Sequence, residues 1–148
     1  MVRIPPPIWM FIALASAGAA SEFYPWKHIG ELQIVPLGIA LLVAGLALGF
    51  WAFGLFQTEG TEIQPNSETN KTLVTRGPYR FTRNPMYVSL LLVSLGAAFW
   101  VGTPPMFAVP VIVFCITNWV HIPFEEAKMH HQFGAAYEAY KAKVRRWI

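Results

Sequence analysis

The sequence predicts an all-α polytopic membrane protein with about four transmembrane helices, a cytoplasmic loop and an amphipathic C-terminal helix. Three observations lead there: an apolar composition, long uncharged stretches and a one-sided distribution of cations. Of 148 residues, 55% are hydrophobic and 13% charged, with a mean hydropathy of +0.42. Soluble domains carry about 25% charged residues, and a chain this short cannot hide so much apolar side chain in one core. It needs a hydrocarbon solvent.

The elements follow in order, within a single domain spanning 1–148. A first helix covers about residues 4–20, with Arg3 before it and Pro5, Pro6 and Pro7 at its start. A signal peptide is the rival reading, because Arg3, a short apolar core and the run Ala15-Ser16-Ala17-Gly18-Ala19 share that pattern. The second helix, about 34–56, lies in a stretch without a charge from Gln33 to Thr58. A polar loop follows over 57–85. From Asn84 to Phe124 there is no Lys, Arg or Glu, and His121 is the only side chain that ionises near neutrality. As one helix that tract would be roughly 60 Å long, about twice the hydrocarbon thickness. The break Gly102-Thr103-Pro104-Pro105 instead makes a hairpin of two helices, about 86–101 and 105–124.

A final amphipathic helix is expected over 125–147, because Phe133, Tyr137, Tyr140, Val144 and Trp147 recur at helical spacing. Cations set the orientation. Of the 11 Lys and Arg, only Lys27 falls between the first two helices. Arg3, Lys71, Arg76, Arg80 and Arg83, with Lys128, Lys141, Lys143, Arg145 and Arg146, all fall on one side if there are four crossings. By the positive-inside rule that side is cytoplasmic. Tyr24, Trp26 and Trp100 then stand where an outer aromatic belt would be. The net charge of +3 fits such anchoring better than nucleic-acid binding.

Several chemistries find no support. The chain lacks Asp, so acid triads are poorly supplied, and it has neither a G-x-G-x-x-G nor a P-loop motif. The adjacent His130 and His131 diverge on a helix and lack a third ligand at metal spacing, so no metal site is expected. Single Cys115 allows no intramolecular disulfide. Gly38, Gly45 and Gly49 allow close helix approach, within the bundle or between chains.

Two features concentrate polar groups. The segment Lys71 to Tyr87 packs four cations, two Tyr and two Pro against a helix that enters the membrane. Pro78 and Pro85 hold their preceding residues extended, which would display backbone, Arg, Asn and Tyr groups toward a polar molecule. The second is Glu125-Glu126, with Asn118 and His121 at spacings that share one helical face if the helix survives Pro123. An ordinary cytoplasmic loop and a dipole-matched helix start explain the same residues without chemistry.

Taken together, these segments resemble the membrane methyltransferase superfamily that includes isoprenylcysteine carboxyl methyltransferases and phospholipid N-methyltransferases. The matching residues are Leu73-Val74-Thr75-Arg76-Gly77-Pro78-Tyr79, Arg83-Asn84-Pro85-Met86-Tyr87, Glu125-Glu126 and Phe133-Gly134-Ala135-Ala136-Tyr137-Glu138-Ala139-Tyr140, over about residues 57–148. The resemblance implies an S-adenosyl-L-methionine-dependent methyltransferase in the membrane (bacterial-type inner membrane) with its active site facing the cytoplasm. It implies cofactor contacts from Gln64, Lys71, Thr72, Leu73, Val74, Tyr79, Asn84, Pro85, Met86, Tyr87 and Glu125. Glu125, Glu126 and His121 are the implied catalytic candidates, and a lipophilic small molecule or membrane lipid is the implied acceptor. Asn84 stands where the family has His, so a titrating role there is lost while a hydrogen bond to the cofactor is expected to remain. No Arg stands near His121, as it does in the isoprenylcysteine enzymes, which speaks against the same carboxylate substrate. A membrane reductase or isomerase on a related helical frame, and a small helical protein without catalysis, are the alternatives.

Overall fold

In a computed structural model, residues 4–23, 32–58 and 72–148 are described, and those residues are mainly helical with no strand among them. Gln64 and Lys71, along with Tyr24, Trp26 and Lys27, lie outside them. The helices are α1 (Pro6–Phe23), α2 (Val35–Thr58), α3 (Pro85–Val101), α4 (Pro104–Ile116), α5 (Ile122–Phe133) and α6 (Ala135–Lys143). A 3₁₀ turn covers Gly77–Arg80, and a π-helical segment, Thr117–His121, joins α4 to α5.

Two helical runs are long and apolar enough to cross a membrane: Val35–Thr58, and Pro104–Phe133 through the π segment. The apolar helix α3 has 17 residues, near the lower limit for a span. Only 11% of the apolar window of α2 is buried inside the protein. Leu37, Ile39, Val43, Leu46, Phe50, Trp51 and Phe53 face outward from it. Such an apolar surface is larger than soluble monomers ordinarily expose.

What holds α2 to α3 is shape. A Cβ on Gly38 would sit 2.8 Å from the Gly96 carbonyl oxygen, and one on Gly96 would meet the Gly38 carbonyl at the same distance. A Cβ on Gly45 would meet Val93 N at 2.9 Å. The glycines therefore serve contact within this chain, in the manner of small-residue crossings in lipid. Gly102, at φ 73, ends α3 in the left-handed conformation and donates its N–H to Ala98 O at 2.8 Å. Pro104 then opens α4 at a position that needs no N–H. Helix α1 lies against α4. Met10 and Ala17 join Leu90, Ala98, Met106, Val109 and Val113 in one buried cluster, and the Ser21 and Thr103 hydroxyls pair at 2.7 Å.

The C-terminal part departs from the expected helix over 125–147. Pro123 does not end the helix. It lacks an N–H and its ring presses on the carbonyl four residues back, and the chain absorbs this by widening over Thr117–His121, where Ile122 N–H reaches Thr117 O. The helix then runs on through Glu125 and Glu126 to Phe133. It breaks at Gly134, whose φ of 48 ends α5 and begins α6. Helix α6 stops at Lys143, and Val144 is extended. Trp147 is therefore reached by an irregular tail and not by further turns of helix.

Candidate active site

The site is built where the loop over 72–84 meets the polar ends of α2, α3, α5 and α6. Gly77 makes the loop possible. Its φ is 60, and a Cβ there would lie 2.5 Å from Leu55 Cδ1 on α2. The turn that follows is closed by Phe81 N–H to Pro78 O at 3.1 Å, and it drives Tyr79 inward. Tyr79 packs on Phe56 with ring centroids 5.3 Å apart and shares a buried cluster with Ala52 and Val74. From α6 the Tyr140 hydroxyl donates to Tyr79 O at 2.7 Å. Burial holds the Tyr79 and Tyr140 phenols above their ordinary range, so both stay neutral donors.

These elements enclose a cavity of about 120 Å³. Thr72, Leu73, Val74, Tyr79, Asn84, Pro85, Met86, Tyr87, Glu125 and Glu126 line it, together with Phe56, Arg83, Met129, Tyr137 and Tyr140. Across it the Tyr87 hydroxyl donates to Glu125 Oε1 at 2.5 Å, tying the first turn of α3 to α5. Tyr87 is buried, so this charge-assisted bond is shielded from competing water.

Glu126 has a different fate from its neighbour. Its carboxylate meets Arg83 Nη1 at 3.0 Å, and Arg146 reaches it with Nε at 3.2 Å and Nη2 at 2.6 Å. Both oxygens are engaged by guanidinium groups, while Glu126 also lines the cavity as the expected catalytic candidates would. The backbone beside Arg146 completes a clasp. Arg83 N–H donates to Arg145 O at 2.9 Å, and Thr82 Oγ1 and Asn84 Nδ2 donate to Arg146 O at 3.1 and 2.9 Å. Trp147 Nε1 donates to Asn118 Oδ1 at 3.1 Å while its ring packs on Phe114 at 5.1 Å.

Two further expected residues are placed as follows. The Asn84 amide donates to the tail and not into the cavity. His121 does not line the cavity: it is 1% exposed, and its Nε2 has no partner among the described residues. The π segment shifts the phase between residues 117 and 125, so Asn118 serves Trp147 and His121 packs inside while Glu125 faces the cavity. Sequence reasoning missed Arg83, Met129 and the cavity-lining role of Tyr137 and Tyr140. The two tyrosines carried a signal, because their apolar stripe marked a packed face. Arg83 and Arg146 looked like ordinary members of a basic loop and tail. Among the described residues, no group of three or more His, Cys, Asp or Glu is arranged to hold a metal.

Comparison with known proteins matches residues 34–136 to the phospholipid methyltransferase family. The chain is 31% identical to the protein-S-isoprenylcysteine O-methyltransferase of Schizosaccharomyces pombe over 66% of its length and 46% of the relative's. It is 31% identical to methanethiol S-methyltransferase 2 of Bradyrhizobium diazoefficiens, over 95% of this chain and 49% of the relative. A "Probable protein-S-isoprenylcysteine O-methyltransferase" of Oryza sativa subsp. indica is 30% identical over 84% of this chain and 71% of its own length. The chain thus spans about half the length of the yeast and Bradyrhizobium relatives. No solved structure matches it.

Proposed function

The chain belongs to the phospholipid methyltransferase family, and we propose that it transfers a methyl group from S-adenosyl-L-methionine to a lipophilic acceptor at the membrane. The observation that carries this reading is convergence. Segments 72–87, 125–126 and 137–140 lie apart in sequence, yet they wall one cavity that has the Tyr87–Glu125 pair across it. A scaffold without catalysis gives no reason for that convergence.

The residues present suit such a cofactor. Phe56, Leu73, Val74, Met86 and Met129 offer apolar walls for an adenine ring, and the Glu125 carboxylate offers a counter-charge to a sulfonium. When bound, the cofactor would supply an electrophilic methyl group whose transfer discharges the sulfonium. The protein's part is then positioning, worth up to ~7–11 kcal/mol when reacting groups are held in line. Glu125, oriented by Tyr87, is the group placed to take a proton from an amine or thiol acceptor. Four crossings would put this cavity at the cytoplasmic end of the bundle, with the acceptor arriving from the lipid side along α3 and α4.

Calorimetry with S-adenosylhomocysteine on folded, detergent-purified protein tests the reading, and saturable binding is the expected result. Undetectable binding at millimolar ligand would remove the cofactor assignment. Transfer of labelled methyl groups to prenylcysteine, thiol and phospholipid amine acceptors would then name the acceptor class.

A further inference from the structure

Three cations at the polar end stand outside the clasp and outside the cavity. Arg80, Lys143 and Arg145 are exposed, and none has a carboxylate partner among the described residues. The described carboxylates at that end are engaged elsewhere. Glu126 is held by Arg83 and Arg146, and Glu125 by the Tyr87 hydroxyl. Glu138 lies 3.2 Å from His130 and 3.6 Å from Lys141. The fold gathers the three free cations onto one strip. Tyr140 O–H to Tyr79 O, Thr82 Oγ1 to Arg146 O and Arg83 N–H to Arg145 O tie the loop to the end of α6 and the tail. Arg80 falls between these ties on the loop, and Lys143 falls between them on the other side. Arg145 takes part only through its backbone carbonyl. None of the three lines the cavity.

Large apolar side chains stand beside them. Phe81 is 72% exposed and Ile148 79%. Both belong to the level at which apolar helices end. Phe81 lies in the loop just before Pro85 opens α3. Trp147, next to Ile148, packs its ring on Phe114 and donates to Asn118. Those two residues belong to the run Pro104–Phe133, which is long and apolar enough to cross a membrane. Unpaired cations interleaved with exposed apolar groups suit a bilayer interface. The long basic side chains reach headgroup phosphates, while aromatic and aliphatic groups enter the boundary of the acyl chains. An acidic protein segment would match the charge but would leave Phe81 and Ile148 unexplained.

We infer that Arg80, Lys143 and Arg145, with Phe81 and Ile148 beside them, form a binding strip for anionic phospholipid headgroups. The inference rests on the membrane placement proposed above and adds a lipid class to it. A phosphatidylglycerol headgroup carries a phosphate whose charge nothing in the lipid cancels. A phosphatidylcholine headgroup brings its own ammonium, which would meet the same cations unfavourably. The strip therefore selects the anionic lipid, and it does so beside the cavity rather than within it.

The test reads lipid selectivity by electron paramagnetic resonance on the full chain in phosphatidylcholine bilayers. Spin-labelled phosphatidylglycerol and spin-labelled phosphatidylcholine are the two probes. Wild-type protein at low salt should retain phosphatidylglycerol roughly 3- to 10-fold more than phosphatidylcholine, and high salt should erase most of that preference. Arg80→Gln, Lys143→Gln and Arg145→Gln combined should bring the two probes within about twofold of each other. Melting in detergent should stay at the wild-type level, because the three side chains are exposed and make no ion pair. Arg80→Lys with Arg145→Lys keeps the charge and should keep the preference. Equal retention of both probes by wild type overturns the inference, leaves the membrane placement standing and needs no variant. A preference that survives the three neutral substitutions also overturns it, since cations elsewhere then select the lipid. If retention is equal and polyglutamate binds wild type but not the neutral variant, the strip takes an acidic protein segment and the lipid assignment falls. A folded chain that does not insert into bilayers removes the membrane placement and this inference together.

Discussion

The apolar body of α1 to α4 and the polar end around Glu125 and Glu126 are held together by opposite means. In the body no ion pair is needed. Helix α2 meets α3 through Gly38, Gly45 and Gly96, where backbone touches backbone, and the outward-facing sides are left apolar. In lipid there is no hydrophobic gain from burying one helix against another, so close contact has to supply the attraction. At the polar end, directional bonds do the holding. Arg83, Glu126, Arg146, Thr82, Asn84 and Trp147 form a clasp around a cavity that close packing would have filled. Shape holds the part that is full, and charge holds open the part that is hollow.

That contrast can be broken or sharpened by substitution. The largest effect is expected at Glu125. Glu125→Gln keeps the volume and should leave the melting profile near wild type, yet lower methyl transfer by ~10²–10⁴-fold if it accepts the proton. Unchanged turnover would return Glu125 to the structural set. Glu126→Gln should do the reverse, leaving Arg83 and Arg146 without a counter-charge. A loss of about 2–4 kcal/mol is expected, below the full penalty of a wholly buried pair because Arg146 is partly exposed. Denaturation in detergent would show it, and ligand affinity should fall with the fold.

In the body, Gly96→Val should lower the melting temperature by forcing α2 off α3, at about 1–3 kcal/mol for overpacking. High salt should not change that loss, whereas it should weaken the wild-type clasp at its exposed Arg146 arm. If salt affected both regions alike, the division between shape and charge would be wrong. Tyr87→Phe is expected to have an effect of similar size, but at the cavity. It removes one hydrogen bond to Glu125, worth about 1.5–3 kcal/mol when the acceptor is charged, and should reduce turnover more than cofactor affinity. A pure affinity loss would place Tyr87 among the binding groups instead.

The two adjacent glutamates mark where sequence reading stopped. Their pairing with segment 72–87 was legible, because three motifs in order pointed to one site. Their separation was not. On a regular helix broken at Pro123 the two look alike, and Asn118, His121 and Glu125 appear to share a face. The π segment changes that phase, and its cause is a contest between Pro123 and continued helix that only packing resolves. Arg146 was equally hidden, since a cation in a basic tail carries no mark of the carboxylate it will meet.

By itself the sequence determined what depends on neighbours along the chain: uncharged runs long enough for helices, the Gly102–Pro104 hairpin and the apolar face of Tyr137 and Tyr140. These are set by local sterics, hydrogen-bond supply and the cost of charge in hydrocarbon. The tertiary structure decided which glutamate is bound up in ion pairs and which faces the cavity, that Asn84 serves the tail, and that the glycines of α2 meet α3. Those outcomes rest on contacts between residues many positions apart, where a shift of a single residue in helical phase exchanges a buried partner for an open one.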